Sequence, residues 1–210
     1  MSMNLTASVV QLDIPIVFGR TLPANHGYAL YAAISAVLDS HLPDGVAIGS
    51  IPGIRSGEAQ ILVAPGAHLH VRVPAEAIPA ILPLAGQELD VGDHRLVLGI
   101  PKVRGLEPCT AAKAYMVTIK GFLEPEPLLE AARRQASALG INARLVVPNH
   151  PTGARAGQPM RRVLRVRNHT VVGFAVEALD LSHDDSLKIL AFGLGGRRHM
   201  GCGVFFPLAE

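Results

Sequence analysis

Residues 9–18 read VVQLDIPIVF, and residues 25–40 read NHGYALYAAISAVLDS. The first run alternates enough to predict a β-strand, although Pro15 lacks the backbone donor and therefore favours an edge position or a bulge. In the second run apolar residues recur at helical spacing after Asn25, a good N-cap residue, which predicts a helix to about Ser40. A strand followed directly by a helix is the first step of a β-α-β-β-α-β series.

The remainder of the first half continues this series. Residues 43–57 are rich in glycine and proline and predict a long loop. Residues 60–64 and 69–73 predict two short strands that a turn would join into a hairpin. A short helix over residues 74–85 and a fourth strand over residues 95–100 complete the order β-α-β-β-α-β. This order is the ferredoxin-like motif.

The second half repeats the pattern in outline, without any repeat at the level of sequence. Its strands are predicted at residues 115–122, 143–147, 160–167, 171–179 and near 204–206. Its helices are predicted at residues 127–139 and after Ser182, an N-cap residue that two aspartates follow. The predicted fold class is α+β, with two tandem ferredoxin-like (RRM-like) domains, each β-α-β-β-α-β. We place these domains at residues 1–104 and 105–210.

The composition favours a globular protein with a substantial core. Of 210 residues, 49% are hydrophobic and 17% charged, and the net charge is +2, with the arginine clusters in the second half. Two cysteines are too few for a disulfide framework or a four-thiolate zinc site. No apolar run approaches the length of a membrane span, and the opening residues lack the order of an export signal. We therefore expect a soluble, cytoplasmic protein.

The most specific stretch is residues 193–203, which read GLGGRRHMGCG. Glycines let the backbone approach a ligand and expose its N–H groups, while arginines supply charge for phosphates. The stretch is not a nucleotide-binding P-loop, because it lacks the Gly-Lys-Ser/Thr ending and precedes a strand instead of a helix. The alternative is a glycine-rich turn with solvated arginines.

Glycine–hydrophobic–glycine, five residues, then the same triplet again resembles the glycine-rich loop of CRISPR-associated RNA-binding proteins of the RAMP superfamily. Residues 22–31, LPANHGYALY, look like the beginning of that family's first helix. Residues 117–122, VTIKGF, together with Pro125, resemble the small myxobacterial-type subgroup of the Cas-six family. The resemblance covers nearly the whole chain and implies an endoribonuclease that processes CRISPR repeat RNA.

Enzymes of this kind cleave pre-crRNA without metal, through the RNA 2′-OH, and leave a 2′,3′-cyclic phosphate. They use a histidine in or just after the first helix, and here His26 and His41 fit that description. Histidine suits the task because its pKa lies near working pH. We expect His41 as the general base, since it precedes a flexible loop, and His26 as the second candidate. Tyr28 and Tyr31 are candidate positioning groups.

Each of these residues also has a structural alternative. His26 could be a helix-start histidine that bonds nearby backbone, and His41 a solvated residue that the helix dipole favours. The two tyrosines could pack in the core. His68 and His70 share one strand face, but no further ligand has suitable spacing, so we predict neither a metal site nor a cofactor.

The residues predicted to bind RNA belong to the glycine-rich stretch or to the basic strand after residue 160. They are Gly193, Gly195, Gly196, Arg197, Arg198, His199, Gly201 and Gly203, with Arg161, Arg165 and Arg167. The strand arginines would share one face, which could grip a phosphate backbone or be merely a solvated, charged edge. Without tryptophan and with few aromatics, phosphate and groove recognition of a stem-loop is the better expectation.

Two other functions stay open on the sequence. A non-catalytic RNA-binding scaffold subunit of a CRISPR effector complex would share the fold and the glycine loop but lack productive histidines. A ferredoxin-like ligand-binding or assembly module would lack a reason for arginines in that loop. The partners we expect are CRISPR repeat RNA and other effector subunits, with no membrane.

Overall fold

The structure is a computed structural model that describes residues 9–39, 41–57 and 59–208. By their internal contacts these residues divide into two compact units, one ending at Gly105 and the other beginning at Leu106. Each unit has its own apolar core and its own main sheet. Among the described helices, none is long and apolar enough to cross a membrane.

The first unit follows a β-α-β-β-α-β course with additional short strands. Its strands are β1 (Val9–Phe18), β2 (Thr21–Pro23), β3 (Ala47–Ile48), β4 (Gly53–Ser56), β5 (Gln60–Val63), β6 (His68–Pro74), β7 (Glu88–Val91), β8 (His94–Leu98) and β9 (Lys102–Arg104). Its helices are α1 (Gly27–Val37) and α2 (Ile78–Ile81), the latter flanked by 3-10 turns at Ala75–Ala77 and Leu82–Leu84.

The main sheet of this unit runs β3-β6-β1-β8-β7, and β9 also pairs with β1. Helix α1 lies between β1 and β3 in the chain, and these strands have β6 between them in the sheet, as in the split βαβ arrangement of ferredoxin-like folds. Helix α2 leads from β6 to the β7–β8 hairpin on the other side of β1. Leu12 and Ile14 of β1 are fully buried in the core with Leu30 and Ile34 of α1. Gln11 and Asp13 alternate with them and lie on the other sheet face.

The predicted hairpin in this unit is wrong, although both of its strands exist. β5 pairs with β2 and β4 in a separate three-stranded sheet, whereas β6 pairs with β1 and β3. The predicted loop over residues 43–57 contains β3 and β4. Short strands rich in glycine carry too little alternation to be recognised before their partners are known.

Pro15 lies in a central strand, not at the predicted edge. On one side of β1, β9 pairs with residues 11–13 and β8 with residues 16–18, so Pro15 falls in the gap between them. The register also shifts between Ile16 and Phe18, which agrees with the predicted bulge. A residue without an N–H is tolerated where the ladder is interrupted.

The N-cap of helix α1 lies one residue later than predicted. The N-cap position is His26 and not Asn25, and no side chain caps the helix. The helix ends at Val37 with Leu38 as its C-cap. Ser40, the predicted end, lies outside the described residues.

The second unit repeats the course of the first. Its strands are β10 (Ala112–Val117), β11 (Arg144–Val146), β12 (Arg161–Val166), β13 (His169–Leu179) and β14 (Phe205–Pro207). Its helices are α3 (Pro125–Ala138) and α4 (His183–Phe192), with a 3-10 turn at Arg198–Met200. Ser182 caps α4 as predicted, because its hydroxyl accepts a hydrogen bond from the backbone N–H of Asp185.

The sheet of this unit runs β11-β13-β10-β14, the same order as in the first unit. β11 and β12 pair in succession with the two ends of the long strand β13. The predicted strand over residues 115–122 is shifted, because β10 ends at Val117. The β12–β13 turn is Arg167-Asn168, so Arg167 is a turn residue with φ of 52° and does not belong to the strand.

Candidate nucleic-acid interface and active-site residues

The two glycine triplets of the loop after α4 lie against each other. Leu194 N–H donates to the carbonyl oxygen of Gly203 at 3.2 Å. A Cβ on Gly193 would collide with the Gly203 carbonyl, and one on Gly203 would collide with the Leu194 carbonyl. Both glycines also have positive φ, of 61° and 68°. Backbone conformation and close approach therefore both require glycine here.

The loop is fixed to the second unit on two sides. Gly203 N–H donates to the Met116 carbonyl at 2.7 Å and Gly196 N–H to the Thr118 carbonyl at 2.9 Å, so the loop continues the edge of β10. The side chain of Gln135 in α3 accepts from Gly195 N–H at 2.8 Å. These hydrogen bonds use N–H groups that the sequence analysis assigned to RNA. These hydrogen bonds hold the loop in a fixed position, and they leave fewer of its backbone N–H groups available to RNA than expected.

The two arginines of the loop have different surroundings. Arg197 is exposed at a left-handed position, φ 59°, and no carboxylate among the described residues pairs with it. Arg198 turns inward, where its Nη2 donates to the Ala191 carbonyl at 2.8 Å, at the end of α4. Burial lowers the pKa of Arg198. An arginine on the last carbonyls of a helix compensates their unsatisfied acceptors.

Two further side chains of the loop, those of the predicted RNA-binding residue His199 and of Cys202, are less exposed than that of Arg197. His199 is half-buried in the 3-10 turn beside Arg198. Cys202 packs with Met116 and Leu164 in a small apolar cluster, and burial raises the pKa of its thiol to about 12. Cys202 is therefore a packing residue and not a nucleophile.

An open groove of about 640 Å³ lies beside the loop. Its walls come from the loop, from the segment after β10 and from the beginning of β13. They include Arg197, Lys120, Thr170, Gly195, Gly196 and Leu123. Arg197 and Lys120 are both exposed, so two cations flank a floor that also contains apolar side chains. Such a lining suits a phosphate-bearing ligand with an apolar body.

The basic hairpin strand β12 presents its arginines on both sides. Arg161 and Arg165 are exposed and alternate with the buried Leu164, and Arg167 is exposed in the turn that follows. Arg162 lies on the opposite side of the strand, with its guanidinium carbon 4.7 Å from the centroid of the Tyr115 ring.

The two candidate histidines differ sharply in exposure. His41 is exposed after the end of α1. His26 is only 5% exposed. Its Nδ1 lies 3.0 Å from the Pro23 carbonyl, and its Nε2 accepts from the Ile51 backbone N–H at 3.2 Å. These partners define the neutral ring with its proton on Nδ1, and burial lowers the pKa of His26.

His26 thus ties the segment before α1 to the segment around residue 51 and presents no ring nitrogen to solvent. His26 is thus a histidine at the helix start that bonds nearby backbone, which was the structural alternative to a catalytic role. Tyr31 is half-buried against the core of the first unit, and Tyr28 is half-buried on the same helix. The four candidates of the first unit are therefore close in sequence, but only His41 is exposed.

A polar cluster on β1, β6 and β9 went unnoticed in the sequence. Asp13, 7% exposed, accepts from Gln11 at 2.5 Å, lies 2.7 Å from Nδ1 of His70 and forms an ion pair with Arg104 at 2.8 Å. Burial alone would raise the pKa of Asp13, but the hydrogen bonds of His70 and Gln11 and the charge of Arg104 lower it. Nε of the buried Arg72 donates to the side-chain amide oxygen Oε1 of Gln11 at 2.9 Å.

Two comparisons of sequence place this chain in a family. The sequence model of the family described as Cas6 Crispr matches residues 10–210. The CRISPR-associated endonuclease Cas6 of Myxococcus xanthus (strain DK1622) is 35% identical over 190 residues, which cover 90% of this chain and 77% of that protein. The chain belongs to the Cas6 family. The resemblance drawn from the glycine loop and the first helix is confirmed.

Solved Cas6 and RAMP structures share the fold of this Cas6-family chain at low sequence identity. A Cas6-related protein from Pyrococcus furiosus superposes with a TM-score of 0.65 at 14% identity, covering 96% of this chain and 99% of that one. A RAMP protein described as binding different RNA substrates gives 0.64 at 14% identity, covering 95% and 100%. These likenesses confirm the predicted α+β class with ferredoxin-like units.

In this Cas6-family chain no sequence pattern pointed to Tyr115 as a functional residue, and little pointed to Lys120. Lys120 follows β10 in a segment that looked like a continuous strand, so its place on the groove was hidden. Tyr115 belongs to a strand whose alternation is interrupted by a bulge, because Tyr115 and Met116 together oppose Ala175 between two regular pairs. Only the pairing partner reveals which way such residues point.

Proposed function

We propose that this Cas6-family chain is a metal-independent endoribonuclease that binds CRISPR repeat RNA and cuts it into guide units. The similarity to the Myxococcus xanthus Cas6 endonuclease carries this proposal. The braced glycine loop, with its exposed arginine beside a groove, supports an RNA-binding role. We assign the candidate catalytic residues to a domain at residues 1–104 and RNA binding mainly to a domain at residues 105–210.

RNA binding is proposed to use cations of the second domain. Arg197 and Lys120 flank the groove, and Arg161, Arg165 and Arg167 on the β12–β13 hairpin meet phosphates of the stem. Each phosphate neutralised by such a side chain releases counterions, so affinity should fall steeply with salt. Gly193, Gly195, Gly196, Gly201 and Gly203 shape the loop, while Arg198 and His199 support it from inside. Arg198 thus acts through the end of α4 and not through a phosphate.

Cleavage is proposed to begin with removal of the 2′-OH proton by His41. The resulting 2′-oxygen attacks the adjacent phosphorus and the bond to the 5′-oxygen breaks. That oxygen takes up a proton from solvent, to which His41 later returns the proton that it accepted. The products are a 2′,3′-cyclic phosphate and a free 5′-OH, and neither a water nucleophile nor a metal takes part in the exchange at phosphorus. The His41 ring is exposed, and imidazole is the side chain that most often acts as a general base. The half-buried Tyr28 and Tyr31 remain candidates for holding the phosphate.

His26 is proposed to act as a positioning residue. Its ring joins the Pro23 carbonyl to the Ile51 N–H, which lies in the segment that follows His41. Loss of that ring would loosen the segment and so displace the base, at a distance from the RNA. His26→Ala is therefore expected to reduce both cleavage and stability.

A labelled panel of CRISPR repeat stem-loops in EDTA tests the proposal. We expect cleavage in chelator, a 2′,3′-cyclic phosphate on the upstream product, and no cleavage when one deoxynucleotide replaces the residue at the cut. Tight binding without cleavage would instead indicate the scaffold subunit. Neither binding nor cleavage would indicate the ligand-binding or assembly module. Cleavage of the deoxy substrate would contradict the 2′-OH mechanism.

A further inference from the structure

Tyr115 is a half-exposed aromatic residue in the middle of a sheet. It belongs to β10, which lies between β13 and β14, and its side chain is 50% exposed. Ala112 and Ala114 of the same strand are buried with the helices in the core of the second unit. Tyr115, one position beyond Ala114, therefore lies on the sheet face that the helices leave uncovered. An exposed ring in a central strand can be reached only across that face.

The guanidinium of Arg162 stacks on the Tyr115 ring. The guanidinium carbon of Arg162, on β12, lies 4.7 Å from the ring centroid. Its buried Nε has no hydrogen-bond partner in the described part of the chain, and its Nη2 donates to the sulfur of Met160 at 3.8 Å. No carboxylate in the described part of the chain forms an ion pair with Arg162. The guanidinium thus stacks on an aromatic ring and keeps its charge uncompensated.

This arrangement is suited to a nucleotide. Aromatic rings stack on bases irrespective of sequence, and an arginine beside them attracts the phosphate. The positive charge beside the ring is that of Arg162 itself, because the exposed Arg161 lies on the other face of β12. The nearby Lys113 is neutralised by Glu177 at 2.8 Å and adds no charge to this site.

We propose that Tyr115 and Arg162 form a stacking site for one unpaired base of the bound RNA. The base lies on the ring surface that Arg162 leaves uncovered, and the guanidinium meets a phosphate of the same strand. A base within a duplex cannot enter such a site, because it already stacks on its neighbours. The ligand is therefore a single-stranded nucleotide that flanks the stem. The inference rests on the proposed RNA binding and adds a contact of another kind to the phosphate contacts.

The test uses repeat stem-loops that carry 2-aminopurine at successive single-stranded positions. With the wild-type protein we expect fluorescence quenching at one position, since stacking on a tyrosine ring quenches this base. If no single-stranded position is quenched although the RNA binds, the stacking site does not exist. If the RNA does not bind at all, the proposed function fails first, and the two failures are thus distinguished.

Variants refine the result. Tyr115→Leu should abolish the quenching and weaken binding of the flanked stem-loop by about 5- to 100-fold, in line with the cost of losing one stacked base. Tyr115→Phe keeps the ring and should stay within about threefold of wild type. A blunt stem without single-stranded flanks is the matched control, and all three proteins should bind it alike. Equal binding of the flanked RNA by Tyr115→Leu would overturn the proposal and leave this face to a protein partner.

Discussion

The two units of this chain share one strand order, but particular arginines in them differ in how they are paired. In the first unit, the β1 and β6 face opposite the helices carries Gln11, Asp13, His70 and Arg72 in a closed cluster that Arg104 completes. In the second unit, Arg162 stacks on Tyr115 without a carboxylate among the described residues, and Arg197 is exposed without one. A cation that is already paired gains little from a phosphate, whereas an unpaired one gains much.

The difference indicates that the two units, which share one fold, have different roles. Paired charges stabilise a unit and fix its shape, which suits the placement of catalytic groups. Unpaired charges destabilise a unit slightly but make it ready to bind an anion. We therefore expect variants of the first unit to change cleavage rate or stability, and variants of the second unit to change affinity. Each prediction below tests one side of this contrast.

The largest effect is expected for His41. Loss of a general acid or base costs about 10²–10⁴ in rate, so His41→Ala should lower single-turnover cleavage by that factor. RNA affinity should stay within a few fold, because the residue is not among the cations proposed to hold the RNA. His183→Ala, at another exposed histidine, is the control and should cleave like wild type. A His41→Ala enzyme with unchanged rate would move suspicion to Tyr28, Tyr31 or His199.

The next effect concerns stability in the first unit. Asp13→Asn removes the charge that Arg104 and the neighbouring donors surround, and we expect the free energy of unfolding to fall by about 1–3 kcal/mol. Asp184→Asn, at an exposed residue of the first turn of α4, should change it by less than about 0.5 kcal/mol. Denaturant unfolding measures both. If Asp13→Asn weakened RNA binding without loss of stability, the cluster would be a ligand site and the contrast between the units would be wrong.

In the second unit, substitutions of the two loop arginines should have different effects, Arg197→Ala on RNA binding and Arg198→Ala on stability. Arg197→Ala should reduce the slope of log affinity against log salt by about 1, because one phosphate contact is lost. Arg198→Ala should leave that slope unchanged and lower the free energy of unfolding by about 1 kcal/mol, since a hydrogen bond to the end of α4 is lost. Salt titrations of repeat binding and denaturant unfolding check the pair. Equal slopes for wild type and Arg197→Ala would contradict the assignment.

The smallest effect is the pH dependence of stability. Burial lowers the pKa of His26 in the folded chain. At a pH below the ordinary histidine pKa of about 6.5, this residue therefore binds a proton in the unfolded chain more readily than in the folded chain. Stability should therefore fall as pH decreases below that value. His26→Gln should flatten this part of the profile. The pKa of Asp13 is also lowered, so its contribution is lost only at more acidic pH, below the usual aspartate value.

Local patterns predicted much of the fold. The bounds of β1 and the cap at Ser182 depend on neighbouring residues only, and both are confirmed. The partner of β5 could not be predicted, because a four-residue strand has the same alternation whichever strand it joins. The inward turn of Arg198 was equally hidden, since two adjacent arginines in a loop look alike until the end of α4 is placed beside one of them.

The family resemblance could be drawn from the glycine spacing, because that spacing is imposed by backbone contacts. Gly193 and Gly203 touch each other's neighbours so closely that no other residue fits. No comparable steric requirement distinguishes the candidate catalytic residues in the sequence. The burial of His26 follows from its contacts with Pro23 and Ile51, which the helical pattern alone does not contain.

The most direct test of the account is single-turnover cleavage of a repeat stem-loop measured over a range of enzyme concentrations. Such data give the maximal rate constant and the concentration for half-maximal rate separately. For His41→Ala the account predicts a fall of about 10²–10⁴ in the first quantity and little change in the second. For Arg197→Ala it predicts the reverse. If each variant altered both quantities in the same proportion, chemistry and RNA binding would not be divided between these residues.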